Sequence, residues 1–278
     1  MLFRSYFGKS GGINFYKTFQ QNSSKDVIRE INEFPVEQYD LIVNDFEPIS
    51  AWAAQKKKIR IVGLSHQSAL LSKKCPKPRI HDPFGEWLLR NYAPVEKYIG
   101  FHFEEYDKNI FTPVIRKTIA KAEIKDKGHY TVYLPAYDDK KLVELLMKFK
   151  SVRWHIFSKH TKEPYHVGKI SVYPVSGDEF VASMVSSTGV LCGAGFETPA
   201  EVLHLHKKLL VVPMKSQYEQ KCNAVALKKL GVPVLKKLKK RSLKKIEKWL
   251  DTSKRLDISF PKVAGKAVEK LMKRYSSN

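Results

Sequence analysis

The chain has 278 residues, 43% of them hydrophobic, and its 50 Lys and Arg against 28 Asp and Glu give a formal net charge of +22. This length fits two globular domains, and the absence of an apolar run of about 18 residues gives no sign of a membrane span. Three cysteines without a CxxC pair provide no zinc site, and the charge lacks any zinc-finger, RNP-type or recognition-helix pattern that would predict specific nucleic-acid binding.

The first predicted α/β unit lies between residues 39 and 67. Residues 41–43 predict a buried strand, a sharp turn and a helix follow, and residues 59–67 predict the next strand with a polar end. Because the helix is long enough to cross back over a sheet, this pattern indicates a parallel βαβ unit. The unit places Asp45, Glu47 and His66 at the carboxyl ends of strands. Asp45 equally fits the role of a helix cap at this turn.

A second α/β domain is predicted to follow the charged segment 121–128, which ends in glycine and is typical of a linker. Residues 130–134 and 154–157 predict strands on either side of a helix at 139–149. We therefore expect an N-terminal domain of residues 1–121 and a C-terminal domain of residues 122–278. The alternation of strands and helices predicts parallel sheets.

Residues 189–224 gather polar groups at one end of a strand–helix–strand unit. After an apolar strand, Gly193 and Gly195 allow a turn at which the backbone can approach a bulky ligand. Thr198 and Glu201, with a proline between them, match a capping box and predict a helix start that favours an anion. The next strand, residues 209–212, is followed by four polar residues, Gln217, Glu219, Gln220 and Asn223.

Each of these polar residues, taken singly, also fits a purely structural role. Glu201 fits a side chain that reaches back to its own N-cap, and Glu219, Gln220 and Asn223 fit the solvated start of an ordinary helix. Their order along the chain carries more information than any one of them.

The order Gly-x-Gly-x-x-Thr-x-x-Glu, then Val-Pro, then Glu-Gln-x-x-Asn-Ala closely resembles the nucleotide-sugar half of GT-B glycosyltransferases. That group includes the peptidoglycan GlcNAc transferase and many UDP-sugar transferases. The resemblance implies an α/β fold of two Rossmann-like domains whose parallel sheets face each other across a cleft. It also implies the transfer of a sugar from a UDP-type donor, inverting and without a metal or other cofactor.

The resemblance also implies roles for the polar residues. Gly193 and Gly195 would approach the diphosphate, Thr198 would bind phosphate, and Glu201 would accept hydrogen bonds from the ribose hydroxyls. Glu219 and Gln220 would meet the donor sugar, and Gln217 and Asn223 would complete the donor site. A carboxylate suits a vicinal diol, and backbone donors at a helix start suit phosphate.

The resemblance departs from the family at the N-terminus. Members begin with a glycine-turn histidine, the general base, and no such motif precedes residue 39; the segment FGKSGG, residues 7–12, looks like material from inside the domain. We therefore expect an N-terminal domain that lacks its first β/α units. Asp45 would orient a base absent from this chain, Glu47 and His66 would line an acceptor cleft, and His66, His81 or His102 would have to replace the base.

Other assignments follow from the same resemblance. The acceptor is not specified and is expected to be a glycan or a lipid-linked molecule, and the location is expected to be cytoplasmic. Two other classes stay open, a UDP-sugar epimerase of the same fold and an inactive protein that binds nucleotide sugars or anionic surfaces.

The densest basic segment, residues 235–250, has the spacing of an amphipathic helix with lysines around its polar side. Such a helix either packs on the protein's own core or lies on an anionic membrane at the inner face, and the sequence leaves both open. Its apolar face comprises Leu235, Leu238, Leu243, Ile246, Trp249 and Leu250.

Overall fold

The structure is a computed structural model that describes residues 24–275, so the predictions for residues 1–23 lie outside the described residues. The strands are β1 Ile42–Asn44, β2 Ile61–Ser65, β3 Lys97–Phe101, β4 Ile110–Phe111, β5 His129–Tyr133, β6 Arg153–Ser158, β7 Tyr165–Val167, β8 Ile170–Pro174, β9 Gly189–Gly193 and β10 Lys208–Val212. The helices are α1 Ser24–Glu33, α2 Pro48–Lys57, α3 His66–Ala69, α4 Pro83–Asn91, α5 Lys117–Ala120, α6 Asp139–Leu146, α7 Gly177–Val185, α8 Glu197–His204, α9 Tyr218–Lys229, α10 Leu243–Asp251 and α11 Ala264–Tyr275. Strands and helices alternate along most of the chain, as in the predicted α/β class, and the exceptions among the strands are β3 with β4 and the run β6 to β8.

The described chain divides into two compact units, residues 24–114 with 261–275 and residues 115–260. The division after residue 114 lies close to the boundary that the sequence predicted at 121/122. The C-terminal segment differs from the prediction, because residues 261–275 belong to the first unit rather than the second.

Helix α11 accounts for this difference. Its Ala267 and Leu271, four residues apart on one helical stripe, are buried in a cluster with Val62 of β2 and Ile99 of β3. The helix thus covers an apolar face of the first unit's sheet, and the last part of the chain completes the core of the first unit.

The sheet of the first unit has the order β1-β2-β3-β4, and all neighbouring strands are parallel. Ile42 pairs with Ile61, which confirms the parallel βαβ unit predicted between residues 39 and 67. Helix α3 lies directly on this sheet, since a β-carbon at Gly100 of β3 would stand only 2.6 Å from Cα of Ala69.

The sheet of the second unit has the order β10-β9-β5-β6-β8-β7 and is parallel except for the edge strand β7. The first strand of the unit, β5, lies between β9 and β6, so the winding of the chain reverses between β5 and β9. Doubly wound sheets bind ligands at the carboxyl ends of the strands that flank such a switch point.

The basic segment 235–250 is not one helix, so this prediction is wrong. Only α10 is α-helical, and a 3-10 turn at Lys240–Ser242 and an irregular stretch precede it. The N–H of Leu235 donates to the carbonyl of Val211 at 2.9 Å, which holds the chain extended beside β10. A tertiary hydrogen bond therefore overrides the helical spacing of the leucines.

The apolar residues of this segment pack inside the second unit. Four of them are at most 5% exposed and join the same core cluster as the β-strands, namely Leu235, Leu238, Ile246 and Trp249. Of the two alternatives that the sequence left open, the structure shows core packing.

Candidate functional site

Gly193 is the last residue of β9 and Gly195 lies in the loop that follows, at the switch point. Gly193 pairs with the last residue of β10, and Cys192 pairs with Tyr133 at the end of β5. A β-carbon at Gly195 would meet no atom within 4 Å, and neither glycine has a positive φ. Gly195 therefore leaves open space in front of the backbone, as the predicted approach of a bulky ligand requires.

Helix α8 begins at Glu197, before the start that Pro199 suggested, and its N-cap is Phe196, which supplies no side-chain cap. The predicted capping box of Thr198 and Glu201 is therefore wrong. Because the first N–H groups of a helix have no acceptor within it, this start presents hydrogen-bond donors and the positive end of the helix dipole to the loop.

Glu201 pairs with an arginine instead of reaching back to the N-cap. Its side chain is 4% exposed, and its two carboxylate oxygens accept hydrogen bonds from Nε and Nη2 of Arg116 at 2.5 and 2.7 Å. This bidentate pairing raises the pKa of Arg116, so the guanidinium stays charged. Its side chain remains 53% exposed.

Sequence reasoning missed Arg116. The residue precedes α5 and lies 85 positions from Glu201, so no local spacing connects the two. The only available signal was its position just before the predicted linker, where an arginine in a basic chain is unremarkable.

The loop after β10 brings Gln220 against Gly193. Oε1 of Gln220 accepts a hydrogen bond from the N–H of Met214 at 2.9 Å, and a β-carbon at Gly193 would lie 3.6 Å from the same oxygen. Two residues that the sequence predicted from separate segments therefore lie side by side.

The other predicted donor residues lie at the start of α9. Asn223 is buried and its Nδ2 donates to Glu219 at 3.4 Å. Gln217 is the N-cap residue but does not cap the helix with its side chain, and its buried Oε1 accepts no hydrogen bond from the described residues. Ser216 before it has a φ of 64°, a left-handed conformation that costs a non-glycine residue about 1 kcal/mol or more.

The starts of α8 and α9 have no side-chain cap, as is also the case for α5 and α10 in the same unit. Asp138 caps α6 and Ser176 caps α7, each by accepting a first-turn N–H. The starts of α8 and α9 follow the two paired strands β9 and β10. The sheet edge beside the switch point therefore provides donors suited to an anion.

In the first unit, Glu47 rather than Asp45 caps α2. Its carboxylate accepts hydrogen bonds from the N–H groups of Ile49 and Ser50 at 2.8 and 2.7 Å. The helix-cap role considered for Asp45 is therefore wrong, and Asp45 is exposed. Phe46, between them, has a φ of 54°, so a strained residue again follows a strand end. The orienting role of Asp45 and the acceptor-cleft role of Glu47 stay predictions.

His66 and His102 lie at the ends of β2 and β3. Burial lowers the pKa of His102 to about 3, and the charge of the nearby His66 contributes in the same direction. The N–H of Phe103 donates to Nδ1 of His102 at 2.9 Å, so His102 is a neutral, buried imidazole. His66 begins α3 and is only half-buried. His81 lies on the surface, 3.5 Å from Glu86.

Within residues 24–275, no group of three or more His, Cys, Asp or Glu side chains is placed to hold a metal ion. No helix among the same residues is both long and apolar enough to cross a bilayer. None of Cys75, Cys192 and Cys222 forms a disulfide, and all three are buried.

Residues 14–253 match the sequence profile of a family described as Glycosyl transferase family 1. A sequence search of curated proteins finds no match.

Several solved structures are similar to this chain. MurG of Acinetobacter baumannii has a TM-score of 0.56 at 15% identity, over 90% of this chain and 78% of that chain. CalG4, the calicheamicin glycosyltransferase, has a TM-score of 0.54 at 12% identity, over 92% and 83%. The glycotransferase of kitacinnamycin has a TM-score of 0.54 at 12% identity, over 94% and 78%. At these identities the similarity concerns the fold, and it confirms the predicted fold class.

Proposed function

Because the chain belongs to glycosyl transferase family 1, a family of glycosyltransferases, we propose that it transfers a sugar from a UDP-type nucleotide sugar bound in its second unit. The observation that carries this proposal is the uncapped start of α8 beside the open space at Gly195. A diphosphate placed there would meet backbone donors and a favourable helix dipole without needing a metal ion.

The Arg116–Glu201 pair adds a second element to this proposal. An ionised carboxylate has about four lone-pair sites, so Glu201 can hold the guanidinium and still accept a hydrogen bond from a ribose hydroxyl. Arg116 keeps unused N–H donors on an exposed side chain, and these suit a phosphate oxygen. The pair would therefore bind the donor at the junction of ribose and diphosphate.

The proposed reaction is an inverting displacement at the anomeric carbon of the sugar. Negative charge accumulates on the diphosphate as it leaves, and preorganised donors at the helix start would stabilise that charge by about 3 kcal/mol for each donor. A general base must take the acceptor proton. Of the two histidines at the strand ends we propose His66 as this base, because His102 is buried.

Valine at Gly195 should abolish most of the donor binding without harming the fold. The new side chain enters open space in the free protein but fills the volume proposed for the diphosphate. We expect UDP affinity in calorimetry to fall by about tenfold or more, with an unchanged melting temperature. Gly177→Val is the matched control, since Gly177 also has no neighbour within 4 Å of an added β-carbon but begins the capped helix α7.

Equal UDP affinity for the two glycine variants would contradict this location of the diphosphate, and no heat with UDP or other nucleoside diphosphates would contradict donor binding itself. Product analysis then separates the remaining classes. UDP release that depends on an added acceptor indicates transfer, a changed sugar on intact UDP-GlcNAc indicates an epimerase, and binding without turnover indicates an inactive protein.

We propose that peripheral contact with an anionic membrane, if the acceptor is lipid-linked, depends on lysines alone. Four of the six apolar residues of segment 235–250 are buried in the core, whereas Lys236 and Lys237 are exposed. We expect co-sedimentation with phosphatidylserine vesicles at low salt that is lost at about 0.5 M salt, since screening weakens surface attraction. Vesicles of phosphatidylcholine should not bind the protein.

The charge-reversal variant Lys236→Glu with Lys237→Glu should weaken this sedimentation more than the matched pair Lys140→Glu with Lys141→Glu on α6, which is also exposed. Binding that survives high salt would show insertion of apolar side chains and contradict the expectation. Absence of binding at low salt would remove membrane contact altogether.

A further inference from the structure

A cavity of about 430 Å3 lies in the second unit at the amino-terminal end of β10. The donor residues lie at the other end of the same strand, beyond Val212. The cavity is bounded by the end of α8, the start of β10, the extended stretch 231–235 and α10. Its volume is within the range of small-molecule sites, about 300 to 1,000 Å3.

The lining of the cavity combines apolar walls with positive charge. The walls include five side chains that are at most 4% exposed, Leu203, Leu209, Leu210, Leu235 and Trp249. Six cationic residues also line it, Lys207, Lys208, Lys245, Lys248, Lys254 and Arg255. No Asp or Glu is among the lining residues, so the cavity would favour a ligand that is both apolar and anionic.

Two buried lysines line this cavity, Lys207 and Lys208, and the Nζ of Lys207 donates to the carbonyl of Lys125. Lys208 is 6% exposed, and its Nζ donates to the hydroxyl of Tyr130 at 2.9 Å and to the carbonyl of Leu250 at 2.7 Å. The same Nζ lies 5.3 and 5.8 Å from the ring centres of Tyr130 and Trp249. These partners are polar or aromatic but all are neutral.

A buried ammonium with only neutral partners is unfavourable. Burial lowers the pKa of Lys208, while the charges of Asp251 and Asp126 oppose that effect only in part. An ammonium group has three N–H donors, and the two hydrogen bonds to Tyr130 and Leu250 use two of them. A ligand anion would supply the opposite charge and the third acceptor.

We propose that this cavity binds a monocarboxylate with an apolar tail of about ten carbon atoms, its carboxylate on the Lys208 ammonium and its tail against the leucines and Trp249. The Lys208 ammonium balances one negative charge, since the second buried lysine, Lys207, already interacts with the charge of Asp126, whereas a phosphate monoester carries a charge of about −1.5 to −2. The exposed lysines at the rim attract the anion but do not fix its position. This site is separate from the proposed donor site, so either assignment can fail without the other.

Calorimetric titration of the full chain with decanoate at neutral pH and low salt tests the proposal. We expect saturable binding of one decanoate per chain, with decan-1-ol, which has the same tail without the charge, weaker by about tenfold or more. Decyl phosphate should bind more weakly than decanoate. Lys208→Met should reduce decanoate affinity by about tenfold or more and still fold, because it removes a buried charge without stranding an opposite one.

A second variant tests the charge at the rim without touching the core. Lys248→Glu places an acid on an exposed residue of α10 that lines the cavity, and Lys244→Glu makes the same change on an exposed residue of α10 that does not line it. We expect only the first to weaken decanoate binding. UDP binding should be unchanged in both.

Three results would overturn the proposal. The first is the absence of saturable heat with decanoate, and the second is equal decanoate affinity for Lys208→Met and the parent chain. Tighter binding of decyl phosphate than of decanoate is the third, since it would assign the cavity to a phosphate ester instead.

Discussion

Replacing Arg116 by methionine is expected to lower the free energy of unfolding of the second unit by about 2 kcal/mol and to weaken UDP binding by about tenfold. The variant leaves the Glu201 carboxylate, 4% exposed, without its bidentate partner. The loss should be smaller than the 3 to 5 kcal/mol or so found for fully buried pairs, because the Arg116 side chain is 53% exposed and water screens the pair. Urea unfolding followed by tryptophan fluorescence measures it.

The four tryptophans allow the second unit to be observed alone. Trp52 and Trp87 belong to the first unit and are 39% and 58% exposed, so phenylalanine at both positions leaves Trp154 and Trp249 as reporters. Arg255→Met is the matched control, since Arg255 pairs with Asp126 at 2.9 Å but both side chains are more than a third exposed. A loss no greater for Arg116→Met than for this control would show that the Glu201 pair is not structural.

Glu201→Gln completes a double-mutant cycle with Arg116→Met. The ribose-binding role that the resemblance implies for Glu201 would by itself predict weaker UDP binding with little change in melting temperature. The structure changes that expectation. A glutamine amide has only one acceptor oxygen for Arg116, whereas both oxygens of the Glu201 carboxylate accept hydrogen bonds from it. The melting temperature should therefore also fall. The double variant should lose less free energy of unfolding than the two single variants added together. With both substitutions present, no buried charge is left without a partner.

Alanine at Gly100 is expected to cost the first unit about 3 kcal/mol, the upper part of the range for overpacked sites. The added β-carbon would lie 2.6 Å from Cα and 2.7 Å from N of Ala69, and these backbone atoms cannot rotate away. Helix α3 would have to move off the sheet and would carry His66 with it. Unfolding followed by Trp52 and Trp87, with phenylalanine at the other two tryptophans, measures the change.

Gly63→Ala is the comparison for this experiment. Its β-carbon would meet the hydroxyl of Ser68 at 2.7 Å and a methyl group of Val95 at 3.0 Å, which are side-chain atoms that can shift. We expect a cost of about 1 kcal/mol, clearly below that of Gly100→Ala. Equal costs would mean that α3 is free to move, and that His66 has no fixed position.

The parts of this molecule that could be predicted are those that depend on neighbours in the chain. The strand, glycine turn, helix and second strand of residues 189–224 form from local patterns, and their order pointed to the family. The adjacency of Gly193 and Gln220 followed from the rule that parallel strands align their carboxyl ends. The choice between Asp45 and Glu47 as a cap could not be predicted, because both lie within reach of the helix start.

What could not be predicted depends on contacts between distant residues. Arg116 and Glu201 are 85 positions apart, and a charge pair at that separation produces no periodic pattern in the sequence from which it could be predicted. The leucines of segment 235–250 keep helical spacing, yet the hydrogen bond to Val211 draws Leu235 out of the helix. In the same way, Ala267 and Leu271 of α11 lie between lysines in the sequence, and nothing local indicates that they pack on the sheet of the first unit.

The return of α11 to the first unit has a consequence for synthesis on the ribosome. Val62 and Ile99 emerge early, but Ala267 and Leu271, which bury them, are translated only after the whole of residues 115–260. N-terminal domains usually fold first as the chain emerges. Here the apolar face formed by Val62 and Ile99 can be covered only after residues 261–275 have been translated, so the first unit cannot complete its core before the second unit has been synthesised.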